Sequence, residues 1–461
     1  MRHLTLHEYE RLYRGSADTR TGTRRGGRLF LSDYHFRRLR SYDESRATSS
    51  GRQILDWNHR YATAQQWVGV VRIPGLSLEI LPKAAPRHNL LYMLMTAGEL
   101  PFRERDLAAQ ATENAPLLEV LVRLFAGRLF GELTLGRQHS YVQRRDNLPY
   151  IKGKLLIGRH LAQNLARPDR FHVEYDEFCA DTPLNRIFKA ACRRLVAMTT
   201  KMPLQERLTD CLFLLDDVRD VIPTPSDFDR IIINRQNERF ADLFQFARLI
   251  LLEQAPTSHG GDTKTFSLLF DMNAVFEKFI AQFLRHHILT NELSDCRLYD
   301  QARSRLEHLV YRPPPVLPAN YRPRRHGSKV LPLKADLLIE RGPHRLIIDT
   351  KWKVLSSEAG GRRGVSRNDL LQLFAYAQNY GARNNVLLYP HPGEDLDAQV
   401  FNLPLSGDGG DLQRIQVRFA DLRANLWTQR NALTRSLTSM VRKALPEASQ
   451  APSREMAPHP N

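Results

Sequence analysis

Apolar and polar residues alternate along this chain with two periods, one typical of strands and one typical of helices. Residues 67–73 and 76–81 are two apolar runs on either side of Pro74-Gly75, a pair of residues typical of a tight turn. The segment from Tyr141 to Leu161 also has strand-like character, interrupted by glycines. These patterns predict that residues 1–170 form a β-rich mixed domain.

Apolar residues at helical spacing dominate the middle of the chain, where residues 183–255 read as mainly helical. Between these helices, the prolines at 223–226 indicate a loop. The predicted helices lie at 88–98, 115–131, 183–198 and 240–253.

The first 45 residues are crowded with arginines separated by glycines and threonines, and only Leu29–Leu31 resembles a strand. Such a segment is typical of an open basic edge or a partly mobile arm. An ordinary solvated surface explains the same composition, and the sequence leaves both interpretations open.

Three segments have compositions that separate folded regions. Residues 256–264 are rich in small and polar residues and indicate a linker; residues 312–329 read as an extended loop, and the last 16 residues as a disordered tail. The predicted organisation is a β-rich domain at 1–170, a helical connecting region at 171–257, an α/β domain at 258–445 and a disordered tail at 446–461.

Composition and charge narrow the class of protein. Hydrophobic residues make up 42% of the 461 residues and charged residues 25%, as in folded globular proteins. The formal net charge of +17 favours a polyanionic partner, although an arginine-rich protein can be basic for other reasons. The four cysteines have no C-x-x-C spacing, which excludes a zinc ribbon and indicates a reducing compartment. No run of ~18 apolar residues occurs, so we expect a cytoplasmic protein without a membrane span.

The sharpest local pattern is a pair of apolar strands at 334–340 and 345–353, joined by a turn at 341–344. Residues i and i+2 of a strand face the same side, so Asp349 and Lys351 project together. Antiparallel pairing around the turn brings Asp336, at the start of the first strand, to the same end of the sheet. The sequence therefore predicts that these three side chains meet.

This set of residues suits phosphodiester hydrolysis. Two carboxylates, Asp336 and Asp349, can hold Mg²⁺, which prefers oxygen ligands and polarises a phosphate. Lys351 can stabilise developing charge or orient the attacking water. An Asp-x-Lys sequence is often only a surface ion pair, but here the charges emerge from a strongly apolar strand.

Two flanking helices add polar candidates. Glu277 lies beside the apolar stripe of a predicted helix at 270–280, where it can reach the metal site or remain a solvated glutamate. A second helix, from Ser366, places Gln372 and Tyr376 on one face, with Gln372 directed at water or DNA and Tyr376 at packing. A strand at 385–390 follows, and the order of elements predicts an α/β/α core.

The order of Glu277, Asp336, Asp349-x-Lys351 and Gln372 resembles the PD-(D/E)xK nuclease superfamily. More narrowly, the chain resembles the McrC family, the nuclease subunits of McrBC modification-dependent restriction systems. The segments that carry this resemblance are 69–83, 151–155, 181–189, 271–280 and 346–353. Ala335 departs from the family, which usually has proline before the first metal-binding Asp.

The resemblance implies a restriction-endonuclease-like core at 258–445, with Asp336, Asp349, Lys351, Glu277 and Gln372 as its catalytic residues. It also implies an N-terminal partner-docking domain that binds a McrB-like AAA+ GTPase hexamer, and cleavage of DNA that carries 5-methylcytosine. GTP belongs to the partner, since this chain has no G-x-x-x-x-G-K-[ST] motif. Two alternatives stay open: a non-catalytic activator of a partner NTPase that binds DNA, and a stand-alone nuclease of the same superfamily.

Overall fold

The computed structural model describes residues 1–16, 19–108, 115–252, 265–301, 307–310, 329–356, 364–393, 399–404 and 412–445. The predicted linker at 256–264, nearly all of the predicted loop at 312–329 and the predicted tail at 446–461 lie outside these ranges.

Helices occur in both halves of the described chain, with a short 3₁₀ helix at Glu238–Phe240 and a π-helical turn at Arg285–Leu289. The α-helices are α1 (Asp33–Ser50), α2 (Arg87–Thr96), α3 (Glu104–Ala108), α4 (Leu117–Leu135), α5 (Ile157–Asn164), α6 (Pro183–Met198), α7 (Met202–Leu214), α8 (Pro225–Asp229), α9 (Ala241–Leu252), α10 (Met272–Leu284), α11 (Arg367–Tyr380) and α12 (Leu426–Ala444).

Strands form five sheets within the described residues. The first twelve are β1 (Arg2–His7), β2 (Arg11–Arg14), β3 (Thr23–Arg25), β4 (Arg28–Leu31), β5 (Leu55–Trp57), β6 (Tyr61–Ala64), β7 (Trp67–Ile73), β8 (Leu76–Leu81), β9 (Ser140–Leu148), β10 (Lys154–Leu155), β11 (Phe171–Cys179) and β12 (Phe266–Asp271). The others are β13 (Arg297–Asp300), β14 (Glu307–Val310), β15 (Lys329–Leu333), β16 (Leu337–Arg341), β17 (His344–Thr350), β18 (Asn384–Pro390), β19 (Val400–Pro404) and β20 (Leu412–Ala420).

The chain packs as two compact units. The N-terminal unit comprises Met1–Gln65, Gly69–Ile80 and Pro101–Leu269. The C-terminal unit comprises Gln66–Val68, Leu81–Leu100 and Phe270–Asn461. The four-part division drawn from the sequence stays a prediction.

Three sheets belong to the N-terminal unit, with strand orders β1-β8-β7-β12, β3-β4-β2-β6-β5 and β10-β11-β9. The hairpin predicted around Pro74-Gly75 is confirmed, because β7 and β8 pair antiparallel and end at the pair Ile73 and Leu76. Nearly every residue of both strands is buried, in agreement with the two apolar runs that the sequence shows.

Of the interpretations left open for the first 45 residues, the described part of that segment favours an ordinary solvated surface over a mobile arm, because it folds into β1–β4 and much of α1. The run Leu29–Leu31 is confirmed as part of β4, whereas no comparable apolar run marks the other three strands. The buried side chains are Leu6, Leu12, Leu29, Leu31, Phe36 and Leu39.

Two further local predictions need correction. The segment 141–161 is strand-like only as far as β10, because Ile157 begins the helix α5. Pro225, read as part of a loop, is the first residue of the short helix α8, which Thr224 caps. The four predicted helices are confirmed as α2, α4, α6 and α9, and α6 has the predicted bounds.

A six-stranded mixed sheet, ordered β13-β16-β17-β18-β20-β19, organises the C-terminal unit. Strands β16 and β17 form the predicted antiparallel hairpin, while β17, β18 and β20 run parallel. Helix α11 packs against the three parallel strands. The fold of the unit is therefore mixed α/β.

One face of this sheet and α11 enclose an apolar core. Strand alternation gives this face to Leu338 of β16, Ile347 of β17 and Leu387 of β18, all of which are buried there. Tyr380 and Leu373 of α11 complete the layer. No helix within the described residues is long and apolar enough to cross a membrane.

Candidate active site

The ends of β16 and β17 bring the predicted acidic residues together. Leu337 pairs with Ile348, which places Asp336 and Asp349 next to each other one position further along the hairpin. Because side chains alternate along a strand, both lie on the face of the sheet that α11 covers. Lys351, which follows β17 directly, lies on the same face. A polar cluster therefore forms where an apolar hairpin ends.

Thr350 holds Asp336 in place. Its backbone N–H and its hydroxyl both donate to Oδ2 of Asp336, at 2.8 and 3.0 Å. Burial raises the pKa of the Asp336 carboxyl, and the two hydrogen bonds from Thr350 and the charge of Lys351 oppose this rise. The carboxylate is thus oriented from one side by its neighbouring strand.

Asp349 is fully buried, with 0% of its surface exposed. Nζ of Lys351 lies 2.7 Å from its Oδ2, and its Oδ1 has no hydrogen-bond partner among the described residues. Burial, together with the negative charge of Asp336, raises the pKa of the Asp349 carboxyl to about 7. A desolvated carboxyl with an unused oxygen is typical of a functional site rather than of a surface ion pair.

Lys351 joins the carboxylates to α11. Burial acts to lower the pKa of its ammonium, but the charges of Asp349 and Asp336 outweigh burial and raise it. Its Nζ also donates to Oε1 of Gln372 at 3.4 Å, and Nε2 of Gln372 donates to the hydroxyl of Tyr376 at 2.9 Å. Gln372 and Tyr376 therefore share a face, as their spacing predicted.

Glu277 reaches the same cluster from α10. Burial and the charge of Asp336 raise the pKa of the Glu277 carboxyl to about 6, while a hydrogen bond from Gln301 opposes the rise. Phe276, the preceding residue, packs its ring 5.3 Å from that of Trp352, just beyond β17. Of the two interpretations of Glu277, the structure favours the one that places it at the site.

The sequence did not single out three polar neighbours of the predicted residues. Thr350 is the residue between Asp349 and Lys351, and its hydroxyl could have been recognised as a hydrogen-bond donor for the site. Asp369 lies in the first turn of α11, where it accepts a hydrogen bond of 3.1 Å from Tyr389, and its charge acts on Asp349. Gln301 directly follows β13, and no local sequence pattern connects that position to α10.

The donor set of this cluster consists of oxygens. Among the described residues, no three His, Cys, Asp or Glu side chains stand close enough to hold a metal by themselves. Magnesium, however, keeps several waters and takes only one or two carboxylates. Asp336 and Asp349, with the unused Oδ1, fit this requirement.

The family model for McrBC 5-methylcytosine restriction system components matches residues 62–390 of this chain. No curated protein matches. One similar solved structure is a chain of the refined half-complex from the tetradecameric assembly of Thermococcus gammatolerans McrB AAA+ hexamers with bound McrC. It is 20% identical, the match covers 95% of this chain and 100% of that chain, and the TM-score of 0.67 shows a shared fold.

A second similar structure comes from the cryo-EM structure of the Thermococcus gammatolerans McrBC complex. It is 23% identical, and the match covers 62% of this chain and 88% of that chain, with a TM-score of 0.49.

Proposed function

Since the chain belongs to the family of McrBC 5-methylcytosine restriction system components, we propose that it is the metal-dependent DNA endonuclease subunit of such a system. Its substrate is DNA that carries 5-methylcytosine, and the reaction is hydrolysis of a phosphodiester bond. The net charge of +17 suits a polyanionic substrate.

The observation that carries the proposal is the fully buried Asp349 carboxyl, with Lys351 at 2.7 Å and Asp336 beside it. Burial and mutual repulsion both oppose the ionisation of two carboxylates at one strand end, so a nearby cation favours their charged forms. Lys351 supplies part of that positive charge. The hairpin, the parallel strand β18 and the helix α11 packed against them support the proposal of a PD-(D/E)xK core.

Mg²⁺ is the cofactor that suits these oxygen donors, and Asp336 and Asp349 are the residues that would hold it. When bound, the ion acts as a Lewis acid toward the scissile phosphate. Thr350 orients Asp336, and the Lys351 ammonium beside Asp349 would stabilise the negative charge that develops on the phosphate. Glu277 and Gln372 bracket the cluster from α10 and α11 and orient water or the DNA backbone.

We further propose that a McrB-like AAA+ GTPase hexamer is the partner, in accord with the similar structure, which contains McrB AAA+ hexamers with bound McrC. A surface in the N-terminal unit suits such a partner. The side chains of Ile157 and Leu161 in α5 and of Leu165, which directly follows it, recur at intervals of four and are 64%, 55% and 80% exposed. Tyr150 and Ile151 are also exposed, and Lys154 and Arg159 add positive charge to the same segment.

An omission experiment tests the enzymatic proposal. The full chain is incubated with a McrB-like GTPase, methylated plasmid, Mg²⁺ and GTP, and each component is left out in turn. We expect cleavage only when all are present. Cleavage with Mg²⁺ alone would indicate a stand-alone nuclease, and stimulated GTP hydrolysis without cleavage would indicate a non-catalytic activator.

The docking surface has its own test. Leu161→Glu places a charge in the exposed apolar row of α5 and should weaken binding of the GTPase without unfolding the chain, because the side chain is already largely in water. Ile232→Glu is the matched control, since Ile232 is 77% exposed in the same unit but outside this surface. Equal binding by both variants would contradict the assignment of the surface.

A further inference from the structure

A cavity of about 810 Å³ lies within the N-terminal unit and takes no part in the proposed function. It is bordered by Arg72 of β7, Ala190 and Met198 of α6, Leu251 of α9 and Phe266 of β12. Its volume is in the range of small-molecule sites, which are typically mostly apolar with a few placed polar groups.

Arg72 is the unusual residue of this cavity. Arg72 is only 5% exposed, and its Nη1 has no hydrogen-bond partner among the described residues. Its Nη2 lies 2.6 Å from Sδ of Met1, and a thioether is only a weak acceptor. A buried guanidinium with so few acceptors is costly unless something compensates its charge.

The surrounding charges compensate the guanidinium only in part: Glu119 attracts it more strongly than Arg194 repels it, but burial outweighs both and lowers the pKa of Arg72. Arg194, whose Nη2 donates to the backbone oxygen of Thr265, also borders the cavity and repels the charge of Arg72. Glu119 attracts Arg72 electrostatically, but its own Oε2 accepts a hydrogen bond of 2.6 Å from Thr199. The cavity thus has two guanidinium groups on its border and room for an anion.

The remaining walls decide what kind of anion fits. Apart from the rim pair formed by Arg193 with Asp220, they are mainly aliphatic, and Phe266 is the aromatic side chain among the described lining residues. Such walls suit an alkyl chain better than a nucleobase, which favours aromatic stacking partners. The apolar members of the wall are Pro74, Ala190, Ala197, Met198, Val221, Ile222, Pro223, Pro225, Leu251, Leu252 and Phe266.

We propose that this cavity is a binding site for a small amphipathic carboxylate, with the anionic group on Arg72 and the alkyl chain along the aliphatic walls. Because Arg72 borders the cavity, a carboxylate bound there places a second negative charge, besides that of Glu119, near the buried guanidinium. Removal of the alkyl chain from water adds a favourable contribution that grows with each buried methylene.

The test uses the full chain, with sodium octanoate as the probe and thermal unfolding and calorimetric titration as the measurements. Octanoate should raise the unfolding temperature in a dose-dependent, saturable way. Acetate, which has no alkyl chain, and 1-octanol, which has no charge, should each have a much smaller effect. Absence of a saturable effect of octanoate would overturn the proposal.

Two variants locate the site. Arg72→Met keeps the side-chain stem but removes the charge, and should weaken octanoate binding about tenfold or more while the variant stays as stable as the wild type. Ala190→Leu fills part of the cavity and should weaken octanoate binding with Arg72 intact. Strong destabilisation by Arg72→Met with unchanged octanoate binding would show that Arg72 is a structural partner of Glu119, and normal binding by Ala190→Leu would place octanoate elsewhere.

Discussion

Nζ of Lys351 lies 2.7 Å from Oδ2 of Asp349, and the carboxyl that it contacts is fully buried. Lys351 opposes the effect of burial, yet the pKa of Asp349 still rises to about 7, because Asp336 adds its own negative charge. The single ammonium of Lys351 therefore does not neutralise the two carboxylates of Asp336 and Asp349. A divalent cation would supply the remaining positive charge.

The first prediction concerns Asp349→Asn. The amide has the shape of the carboxyl but not its charge, so metal-dependent cleavage should fall at least about a hundredfold. Stability should stay within about 1 kcal/mol of the wild type, because a carboxyl with a pKa near neutrality is already protonated for much of the time. Plasmid cleavage and thermal unfolding measure the two effects. Persistent cutting by a pure sample of the folded variant would rule out Asp349 as a site residue.

The second prediction concerns Gln372→Ala. Gln372 is exposed and contacts both Lys351 and Tyr376, so its removal should leave stability almost unchanged and lower the cleavage rate about tenfold through a less well oriented Lys351. Tyr376→Phe is the matched control, since it removes only the hydroxyl that Gln372 contacts. A Tyr376→Phe variant as impaired as Gln372→Ala would mean that Tyr376, not Gln372, has the larger role.

The third prediction uses the raised pKa of Glu277. Because its carboxyl has a pKa of about 6 in the folded chain instead of 4.5, folding favours its protonated form. Its contribution to stability is thus fully present below pH 4.5 and is lost as pH rises to about 6. In metal-free buffer, Glu277→Gln should equal the wild type at low pH and exceed it by about 1 kcal/mol above pH 6, after allowance for partial solvent exposure.

Thermal unfolding of both proteins across this range, with a chelator present, gives the difference between them. The side-chain amide introduced by Glu277→Gln can still accept the hydrogen bond from Gln301, so that contact cancels in the comparison. A pH-independent difference would show that Glu277 does not titrate near pH 6.

The sequence predicted the hairpin of the site because its contacts are local. Asp336 and Asp349 are brought together by one turn, and the apolar pattern of β16 and β17 sets the register on its own. Glu277 comes from a helix about 60 residues earlier in the chain, so its place at the site was a choice between equal interpretations. The contact between Asp369 and Tyr389 depends on how α11 packs on β18, which no local pattern encodes.

Local patterns also failed where apolar residues stand alone. Leu6 and Leu12 are buried, but no continuous apolar run surrounds either of them, so their strands were not recognised. Ile157 and Leu161 have helical spacing but lie just after a strand-like segment. The change from strand spacing to helical spacing within so few residues was not recognised.

The fourth prediction concerns Asp181, a residue of the segment 181–189. Its carboxylate accepts hydrogen bonds from Arg186 at 2.7 and 2.8 Å and from Nε of Arg219 at 2.7 Å, and these hold the pKa of Asp181 well below its usual range. Asp181→Asn should cost about 2 kcal/mol at neutral pH, since it leaves two arginines without their partner. Because the folded pKa is depressed, this contribution is present above pH 3.8 and is lost as pH falls below it.

Chemical denaturation at neutral and acidic pH measures the cost for Asp181→Asn. Asp220→Asn is the control: Asp220 also pairs with an arginine, Arg193, but 54% of its side chain is exposed, so its loss should cost well under about 1 kcal/mol. Equal costs for the two variants would show that the Asp181 cluster contributes no more than a surface ion pair.

The last prediction concerns Gly69, where β7 passes close to β12. Its φ of +133° is unfavourable for any side chain, and a Cβ there would lie 2.0 Å from the backbone oxygen of Leu268. Gly69→Ala must therefore displace backbone rather than a flexible side chain, and should cost about 4 kcal/mol or more, or prevent folding. Gly158→Ala provides the opposite case, because no atom lies within 4 Å of its Cβ position and alanine favours α5, so it should stabilise the chain by about 0.5 kcal/mol. Thermal unfolding of both variants decides the matter: a Gly69→Ala protein as stable as Gly158→Ala would mean that β7 and β12 do not approach each other as closely as the structure indicates.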